Sequence, residues 1–430
     1  MISTILRRSI SLLAASALAI SAQQPTSATG TGTVTGHLTL GDTQRPARFA
    51  TVVLYGIPAE VTATPKADPD AGDEAQMKAF AAAFKNIGKT NMVQAKTGVD
   101  GAYVATDVAP GDYYVFGAAA GYVSPLNQVQ SLYWSGADLK KPLPGVQVVH
   151  VAADHQSTAD ITIPRGAAIS GIISWDDGSP VTGAIFTVTP AKGDAKPPTQ
   201  FNMLAMANIL SGLSISDDLG HYRLSGLAPG DYIVTAVLQT GGQSGLGASM
   251  NLSKMMAVTP LSVYAPSAFH KSDAKPITLT SGEDLRDQAM TVNLSGLHSV
   301  SGKVSSAEDH HGLNQATVRL QDGTDKEFMR SASVDAAGNF TVTFLPSGTY
   351  TMKVSDAEDT EPKPQTDKDK ASIFGPGNKT LRAYKDGSMS VIVSDSDVTG
   401  QNIELAIDKN PKTEADYDKM FDAADKPAAK

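Results

Sequence analysis

Two turns and two strands are encoded by SDDLGHYRLSGLAPGDYIVTA, residues 216–236, and the same pattern occurs three times in this chain. In the first turn, aspartate hydrogen-bonds to the backbone and glycine accepts the positive φ that other residues avoid. In the second turn, proline fixes φ before glycine, and an aromatic residue starts the next strand. The other copies read TGVDGAYVAT and VAPGDYYVFG (97–106 and 108–117), and VDAAGNFTVT and LPSGTYTMKV (334–343 and 345–354).

Strands of alternating apolar and polar residues surround this pattern in each copy. The copies open on a run that contains one internal glycine: GTVTGHLTL (32–40), AAISGIISW (167–175) and HSVSGKVSS (298–306). A second alternating run follows: FATVVLYG (49–56), GAIFTVTP (183–190) and QATVRLQD (315–322). Alternation with a period of two indicates strands that bury one face. With the closing segments, each copy has about seven strands, the number typical of an antiparallel sandwich of roughly 100 residues.

The repeats therefore predict an all-β chain of three tandem antiparallel β-sandwich domains, transthyretin-like or Ig-like. The expected boundaries are 32–165, 166–297 and 298–408, followed by a disordered tail at 409–430. A short helical insertion is expected in the first two domains, within 67–88 and 202–213. The composition agrees, because 41% apolar residues with 38 Gly and 24 Pro suit a folded, turn-rich protein.

The N-terminus has the form of a secretory signal. Residues 1–22 have a basic start that contains two arginines, continue as an apolar run and end on small residues. Cleavage is therefore expected after Ala22, before a linker at 23–31. The alternative is a membrane anchor, which needs roughly 20 apolar residues, whereas the apolar run here has about a dozen. The sequence thus predicts a secreted or periplasmic (extracytoplasmic) protein without an integral membrane span in the mature chain. It contains no cysteine, which excludes disulfides, and its net charge of −9 disfavours nucleic acid as a partner.

The order of strand, Asp-Gly turn, aromatic strand, Pro-Gly-x-Tyr turn and strand resembles the carboxypeptidase regulatory-like domain. All three copies show it, from residue 32 to about 408. The resemblance implies a transthyretin-like (prealbumin-like) sandwich, a fold often grouped with starch-binding-like domains, and an accessory rather than catalytic role. The third copy departs from the pattern, because Ser347-Gly348 stands where the others have Pro-Gly.

Two motifs suggest sites but have simpler structural interpretations. AFKNIGKT (83–90) fits a relaxed phosphate-loop pattern, yet it closes a predicted helix instead of opening one, which favours a C-terminal cap at Gly88. His310 and His311 follow two acidic residues, an arrangement that could hold a metal weakly. A solvated polar turn is the favoured interpretation of the histidine pair.

Carboxylate clusters raise the alternative of structural calcium, although Asp-rich turns are common in sandwiches for conformational reasons. The clusters are Asp68, Asp70, Asp73 and Glu74; Asp217 and Asp218; and Asp395 and Asp397. None matches the 12-residue calcium loop. There is also no GxSxG or HExxH motif. We therefore predict no catalytic residue, no metal ligand and no cofactor.

Aromatic residues provide the remaining candidates for ligand contact: Tyr133, Trp134, Trp175 and Tyr264. Exposed aromatic rings stack on sugars and on protein surfaces alike. Trp134, Tyr264 and Phe374 occupy the same place in the three copies, which equally suits buried core residues. The same alternative applies to Tyr114, Tyr232 and Tyr350, which we align after the second turn.

The sequence favours an exported, non-catalytic binding or structural protein of the bacterial cell envelope, built from carboxypeptidase regulatory-like repeats. Its expected partner is a cell-surface protein or a polysaccharide. The first alternative is an array of carbohydrate-binding modules. A hydrolase or zinc peptidase with an unrecognised site is the second alternative, since a pair of carboxylates can escape motif analysis.

Overall fold

The computed structural model describes residues 30–57, 91–126, 129, 143, 145–191, 214–238, 260–362 and 378–411. The predicted signal peptide and both predicted helical insertions lie outside these residues, as does the tail from residue 412. Within the described residues the chain forms 25 strands and two short 3-10 helices, at Lys271–Asp273 and Leu294–Gly296. The all-β prediction is confirmed.

The first unit contains eight strands: β1 Gly32–Leu40, β2 Thr51–Ile57, β3 Met92–Lys96, β4 Ala102–Val108, β5 Gly111–Ala118, β6 Gln147–Val151, β7 Gln156–Thr158 and β8 Ile161–Ile163. They form two sheets. One has the order β4-β1-β7, with β8 also paired to β1, and the other has the order β3-β2-β5-β6. The first turn connects β3 to β4, and the second connects β4 to β5. Because β4 lies in one sheet while β3 and β5 lie in the other, both turns cross between the two sheets.

The second unit repeats this arrangement with nine strands: β9 Ala167–Trp175, β10 Ile185–Pro190, β11 Ser214–Ile215, β12 His221–Leu227, β13 Gly230–Leu238, β14 Leu261–Tyr264, β15 Ile277–Leu279, β16 Asp284–Leu285 and β17 Met290–Val292. One sheet has the order β12-β9-β16, with β17 also on β9. The other has the order β11-β10-β13-β14, with β15 also on β13.

The third unit has eight strands: β18 Leu297–Ser306, β19 Gln315–Asp322, β20 Met329–Ser333, β21 Asn339–Pro346, β22 Gly348–Pro362, β23 Asn378–Ala383, β24 Gly387–Val393 and β25 Ile403–Leu405. Its sheets have the orders β21-β18-β25 and β20-β19-β22-β23, with β24 also on β22. Three sandwiches in tandem are thus present. The residue boundaries given above for the domains stay a prediction.

Each sandwich contains parallel pairings on its opening strand among antiparallel ones. The opening strand pairs antiparallel with the strand after the Asp-Gly turn and parallel with the closing strands β8, β17 or β25. The parallel neighbours arise because the chain enters and leaves each unit in the same direction. Each unit therefore begins at one end and finishes at the other, where the next unit starts.

Separate hydrophobic cores fill the three sandwiches. Their fully buried members include Val34 and Leu38 in the first unit, Ile169 and Ile173 in the second, and Val300 and Leu320 in the third. Burial of one such side chain stabilises the fold by about 1.5–3 kcal/mol. In the first unit a further apolar cluster, around Tyr114 and Phe116, covers the outer face of the β2-β5 sheet.

The glycine inside each opening strand is required by a close backbone approach. A β-carbon on Gly36, Gly171 or Gly302 would lie 1.9, 1.9 or 2.1 Å from the carbonyl oxygen of Ala159, Gln288 or Gln401, respectively. Each of these three residues precedes a closing strand, and its backbone N–H donates to the residue before the glycine. Only a residue without a side chain allows the closing segment to cross the opening strand there.

A tyrosine of the strand after the Asp-Gly turn bonds to the same crossing point. The Tyr222 hydroxyl donates to the Gln288 carbonyl at 2.6 Å, and the Tyr103 hydroxyl donates to the Ala159 carbonyl at 2.7 Å. The Tyr222 ring also stacks on Phe186, with ring centroids 4.0 Å apart. Burial raises the pKa of both phenols, that of Tyr103 to about 12. The third unit has Phe340 at this place and lacks the hydroxyl.

We expect Tyr222→Phe to lower the free energy of unfolding by about 1 kcal/mol, because it leaves the Gln288 carbonyl without the hydroxyl donor but keeps the ring stack. Urea unfolding monitored by circular dichroism measures the change. Phe340→Tyr is the matched control, since it offers the third unit a hydroxyl that it lacks, and it is expected not to destabilise. An unchanged unfolding midpoint for Tyr222→Phe would show that the hydrogen bond contributes nothing.

The second turn ends with a tyrosine that is tied back to the turn. The hydroxyls of Tyr113, Tyr232 and Tyr350 donate to the carbonyl four residues earlier, at 2.7–2.9 Å. In the first unit this residue is Tyr113, so our alignment of Tyr114 was wrong by one position. Tyr114 points to the opposite face of the sheet, where it belongs to the outer cluster. Two adjacent tyrosines cannot be told apart by a sequence pattern, since only the bond to the turn distinguishes them.

Candidate functional site

Two of the four aromatic candidates lie in the described residues. Trp175 ends β9 and Tyr264 ends β14, and both are half-buried. Trp175 packs against the second core. Tyr133 and Trp134 lie outside the described residues, as does Phe374. Ligand contact by these residues stays a prediction. Among the described contacts, none joins Trp175 to Tyr264.

Tyr264 lies close to the third unit. Burial raises the pKa of its phenol to about 12, and the negative charges of Glu327 and Asp325 add to the shift. Both acids follow β19, in the third unit. The end of β14 is therefore at the junction between the second and third units, a position that no sequence pattern indicated.

Apolar side chains from both units meet at this junction. Phe269, in the loop after β14, packs against the second core and against the third core. Leu297 and Phe344 belong to strands of the third unit, β18 and β21, but pack against the second core. Since these side chains share one apolar environment, the two units are joined by packing as well as by the chain.

Polar contacts surround the apolar junction. Lys271 Nζ lies 3.3 Å from Glu327 Oε2, and the His270 ring lies 4.9 Å from the ring of Phe328. His270 Nε2 is 3.6 Å from Oδ2 of Asp322, whose side chain is almost completely buried. This loop of the second unit thus contacts the end of β19 through an ion pair, a ring contact and a histidine–carboxylate contact.

The Asp322 carboxylate is held in its charged form at the junction. Burial opposes its ionisation, but hydrogen bonds from the Thr324 hydroxyl and from the backbone N–H groups of Thr324 and Asp325, with His270 nearby, keep its pKa below the usual value. Such a carboxylate acts as a turn anchor, because each bond fixes the loop after β19. The same loop carries Glu327 and Phe328, so the anchor positions the residues that face the second unit.

Phe344 adopts the left-handed backbone conformation, with φ of 62°. It interrupts the pairing of β21 with β18 as a bulge, and the Arg330 guanidinium lies 5.5 Å from its ring centroid. Burial lowers the pKa of Arg330 to about 10. The bulge turns the ring away from its own sheet, which allows Phe344 to pack on the second core.

The first and second units are joined more closely still. Only Pro164, Arg165 and Gly166 separate β8 from β9, and Gly166 N–H donates to the Gly121 carbonyl. The Arg165 guanidinium lies 5.1 Å from the ring centroid of Tyr122. Gly226, at φ of 77°, faces the Tyr122 carbonyl so closely that a β-carbon would lie 2.8 Å from it.

The three units use one bulge position for different contacts. Asp107, Gly226 and Phe344 each follow the aromatic residue of their strand by four positions, and all have positive φ. In the second and third units this position faces the preceding unit. The sequence patterns did not indicate this position. The only signal is that the third copy has a phenylalanine where the others have aspartate and glycine, an unusual replacement at a turn-like position.

A network of charged side chains lies at the end of the third unit that faces away from the second. His311 contacts Asp309 through Nδ1 and Asp359 through Nε2, the latter at 3.0 Å from both carboxylate oxygens. The Tyr384 hydroxyl donates to Asp359 at 2.7 Å. The turn after β18 is thereby tied to β22 and to the residue after β23. The turn is exposed over residues 307–310, as a solvated polar turn would be, and it is also anchored through His311.

Both ring nitrogens of His311 face carboxylates, so the protonated ring suits the network. Hydrogen bonds to Asp359 and then to Asp309 raise the pKa of His311. The bond from His311 in turn holds the pKa of Asp309 at about 2. Arg382 adds a contact to Asp309 at 3.4 Å.

We expect the His311 contribution to stability to depend on pH in one direction. Since the folded-state pKa is raised, the contribution is complete below about 6.5, the unfolded value, and is lost as pH rises through the folded value. The difference in free energy of unfolding between the wild type and His311→Gln should therefore shrink between neutral and alkaline pH. Urea unfolding at a series of pH values measures it, with the exposed His37→Gln as control. A difference that grows with pH contradicts the arrangement.

Two of the acidic residues considered for calcium, Asp217 and Asp397, accept hydrogen bonds from backbone N–H groups. Asp217 Oδ1 accepts the backbone N–H groups of Leu219 and His221, and Asp397 Oδ1 accepts that of Ser299. The cluster at 68–74 and the phosphate-loop-like 83–90 lie outside the described residues. Among the residues whose positions are described, no three histidine, aspartate or glutamate side chains come together as a metal site would require.

Comparison with known families identifies one part of the chain. Residues 299–366 match the model of the carboxypeptidase regulatory-like domain, which confirms the resemblance for the third copy. The match spans β18 to β22 and so includes both turns of that copy. A domain of this family fits a non-catalytic structural protein. No curated protein matches the chain.

Several solved structures align with this chain at low similarity. The Bacillus anthracis TIE protein is 10% identical, with 88% of this chain and 51% of that chain covered and a TM-score of 0.19, so this chain spans about half its length. A streptococcal ancillary pilin is 11% identical, with 88% and 100% covered and a TM-score of 0.24. The minor pilin GBS52 of Streptococcus agalactiae is 12% identical, with 58% and 98% covered and a TM-score of 0.24. These scores assign neither function nor partner.

Proposed function

We propose that this chain, whose residues 299–366 match the carboxypeptidase regulatory-like domain, is an exported, non-catalytic binding or structural protein of the bacterial cell envelope. The N-terminal pattern of residues 1–22 supports export to a secreted or periplasmic location. In the described part of the chain, no helix has the length and apolarity needed to cross a membrane.

The contact between successive units is the observation that carries this proposal. Phe269 packs against two cores at once, and Gly166 bonds across the first junction. Units joined by packing and hydrogen bonds keep a fixed relation to one another, unlike units on a flexible linker. A fixed series of sandwiches is suited to holding loops or binding surfaces at defined distances.

The first two units are proposed as further copies of the same domain. Their crossing-point glycines, Gly36 and Gly171, match Gly302 of the copy that the family model recognises. The tyrosine tied back to the second turn is also shared by all three. Equivalent contacts at equivalent positions support a common origin, with repeats at 32–165, 166–297 and 298–408.

A cell-surface protein or a polysaccharide is the proposed partner. The carbohydrate-binding alternative depends on exposed aromatic residues, and Trp175 and Tyr264 are half-buried against the second core and at the junction. A sugar-binding platform needs ring faces open to solvent. These positions therefore favour protein over sugar as the ligand of the described surface.

Export is tested with the tagged full chain in a bacterial host, followed by fractionation and mass spectrometry of the mature N-terminus. We expect the mature protein to begin after Ala22 and to be found outside the cytoplasm. Leu13→Arg, which places a charge in the apolar run, is the control and should keep the protein inside. Export is contradicted if the wild-type protein stays in the cytoplasm with Met1 intact. The non-catalytic role is contradicted if the purified protein turns over a peptide or glycan and loses this activity when one carboxylate is substituted.

A further inference from the structure

Phe49 is a large apolar side chain held in solvent. It lies just before β2, and 69% of its surface is exposed. Its φ is 54°, in the left-handed region. At the equivalent position the second unit has Gly183, with φ of 73°, which adopts this conformation without a β-carbon clash.

The backbone conformation of Phe49 destabilises the fold, and packing of its ring does not offset this cost. A left-handed backbone costs a residue with a side chain roughly 1–2 kcal/mol relative to its ordinary conformation. Phe49 is not part of any described apolar cluster. Strain of this kind persists where the surroundings fix it, and it concentrates at functional positions.

The backbone on both sides of Phe49 is fixed by one buried hydroxyl. Thr97 Oγ1 donates to the Ala47 carbonyl and accepts the backbone N–H of Ala50 at 2.9 Å. Thr97 N–H donates to the Ala50 carbonyl at 3.0 Å, and its side chain is buried. Arg48 and Phe49 thus lie on a short loop whose two ends are held together. A side chain presented from a fixed backbone loses little entropy when it binds.

Two exposed arginines precede Phe49 in the chain, and an exposed valine follows Thr97, which bonds to both sides of this loop. Arg45 and Arg48 are exposed, and Val99, two residues beyond Thr97, is 64% exposed. In the part of the chain that the structure describes, neither arginine has an ion-pair partner. Arginine beside an aromatic residue is the combination enriched at the energetic centres of protein interfaces.

Phe344 shows what a left-handed phenylalanine does elsewhere in this chain. It has nearly the same φ, 62°, and it packs against the core of the neighbouring unit. Neither ring packs in the core of its own unit in the described clusters. Phe344 packs against the second core of this chain, whereas the side chain of Phe49 is exposed to solvent.

We infer that Arg45, Arg48, Phe49 and Val99, here called the Phe49 surface, bind an acidic protein segment that carries an apolar side chain. The inference rests on the proposed binding role but does not depend on export. Two guanidinium groups suit carboxylates, and the ring suits an apolar side chain between them. An anionic lipid surface fits less well, because two arginines contribute about 1 kcal/mol each there and a lipid surface requires no fixed backbone.

The test uses a phage library of random 12-residue peptides, depleted on the Phe49→Gly variant and then selected on purified wild-type protein. We expect the selected peptides to be rich in aspartate and glutamate around an apolar residue. By fluorescence polarisation, a selected peptide should bind Phe49→Gly and Arg45→Glu/Arg48→Glu at least tenfold more weakly than the wild type. Ile392→Ser, which removes an equally exposed residue from β24, is the matched control and should bind normally.

Thermal unfolding separates binding from folding in this test. Phe49→Gly should melt at the wild-type temperature or above it, because glycine relieves the left-handed backbone. The inference is overturned if no peptide survives depletion, if the peptides are not acidic, or if binding to phosphatidylglycerol vesicles but not to peptides is lost in Phe49→Gly. Purified protein is used throughout, so failure here and failure of export give distinct results.

Discussion

Gly171→Ala is expected to unfold the second unit. The new β-carbon would lie 1.9 Å from the Gln288 carbonyl oxygen, well inside any tolerable contact. Gln288 cannot move aside, because its N–H donates to the Ser170 carbonyl and its carbonyl accepts the Tyr222 hydroxyl. It also stands between β16 and β17, which both pair with β9. We expect a loss of about 4 kcal/mol or more, a large fraction of a domain's stability.

Differential scanning calorimetry of the full chain measures this loss, with urea unfolding as a second readout. Gly302→Ala should act in the same way on the third unit, where the corresponding distance to the Gln401 carbonyl oxygen is 2.1 Å. Gly296→Ala is the control, since a β-carbon there meets no atom within 4 Å. If Gly171→Ala melted like Gly296→Ala, the crossing of the opening strand by the closing segment would have to be looser than described.

Phe269→Ala is expected to uncouple the second and third units. The ring packs against both cores, so its removal takes apolar contacts from each side of the junction at once. For a half-buried ring we expect a loss of about 2 kcal/mol. Because the lost contacts are shared, the unfolding transitions of the two units should separate, and the distance between the units should become more variable.

Calorimetry reports the transitions, and small-angle scattering of the full chain reports the spread of distances. Lys271→Ala is the matched control in the same loop. It removes only a partly exposed ion pair with Glu327, and such pairs contribute between 0 and about 1 kcal/mol. Joint unfolding of both units in Phe269→Ala, at the wild-type temperature, would contradict a role for this residue in coupling them.

Most of the fold could be predicted from the sequence because its signals are local. The Asp-Gly and Pro-Gly turns fix where strands end, and alternation fixes which face of each strand is buried. Ser347-Gly348, where the turn pattern weakens, still forms the turn, since the Tyr350 hydroxyl bonds to the Pro346 carbonyl and the Ser347 hydroxyl to that of Ser394. The tyrosine bond is shared with the other two copies. The bond from the Ser347 hydroxyl to Ser394, 47 residues away, is therefore what this copy adds from outside the local pattern.

The candidate site was far less predictable. Trp175 and Tyr264 were singled out as aromatic residues, yet their surroundings depend on the second core and on acids more than 60 residues away in the chain. The contacts of His311 were also not predictable, because its second carboxylate partner, Asp359, is 48 residues away in the chain. A sequence pattern contains neighbours along the chain, whereas burial and pKa depend on neighbours in space.

The sequence by itself determined the number of repeats, their all-β character and the three opening glycines, because turn chemistry and alternation act within a few residues. Only the tertiary structure decided why those glycines are needed, which of Tyr113 and Tyr114 faces the core, and which left-handed phenylalanine packs against a core. Gly171 meets Gln288, and Phe344 meets the second core, across large distances in the chain. Such contacts between distant segments form only when the sheets assemble, so they cannot be predicted from a local sequence pattern.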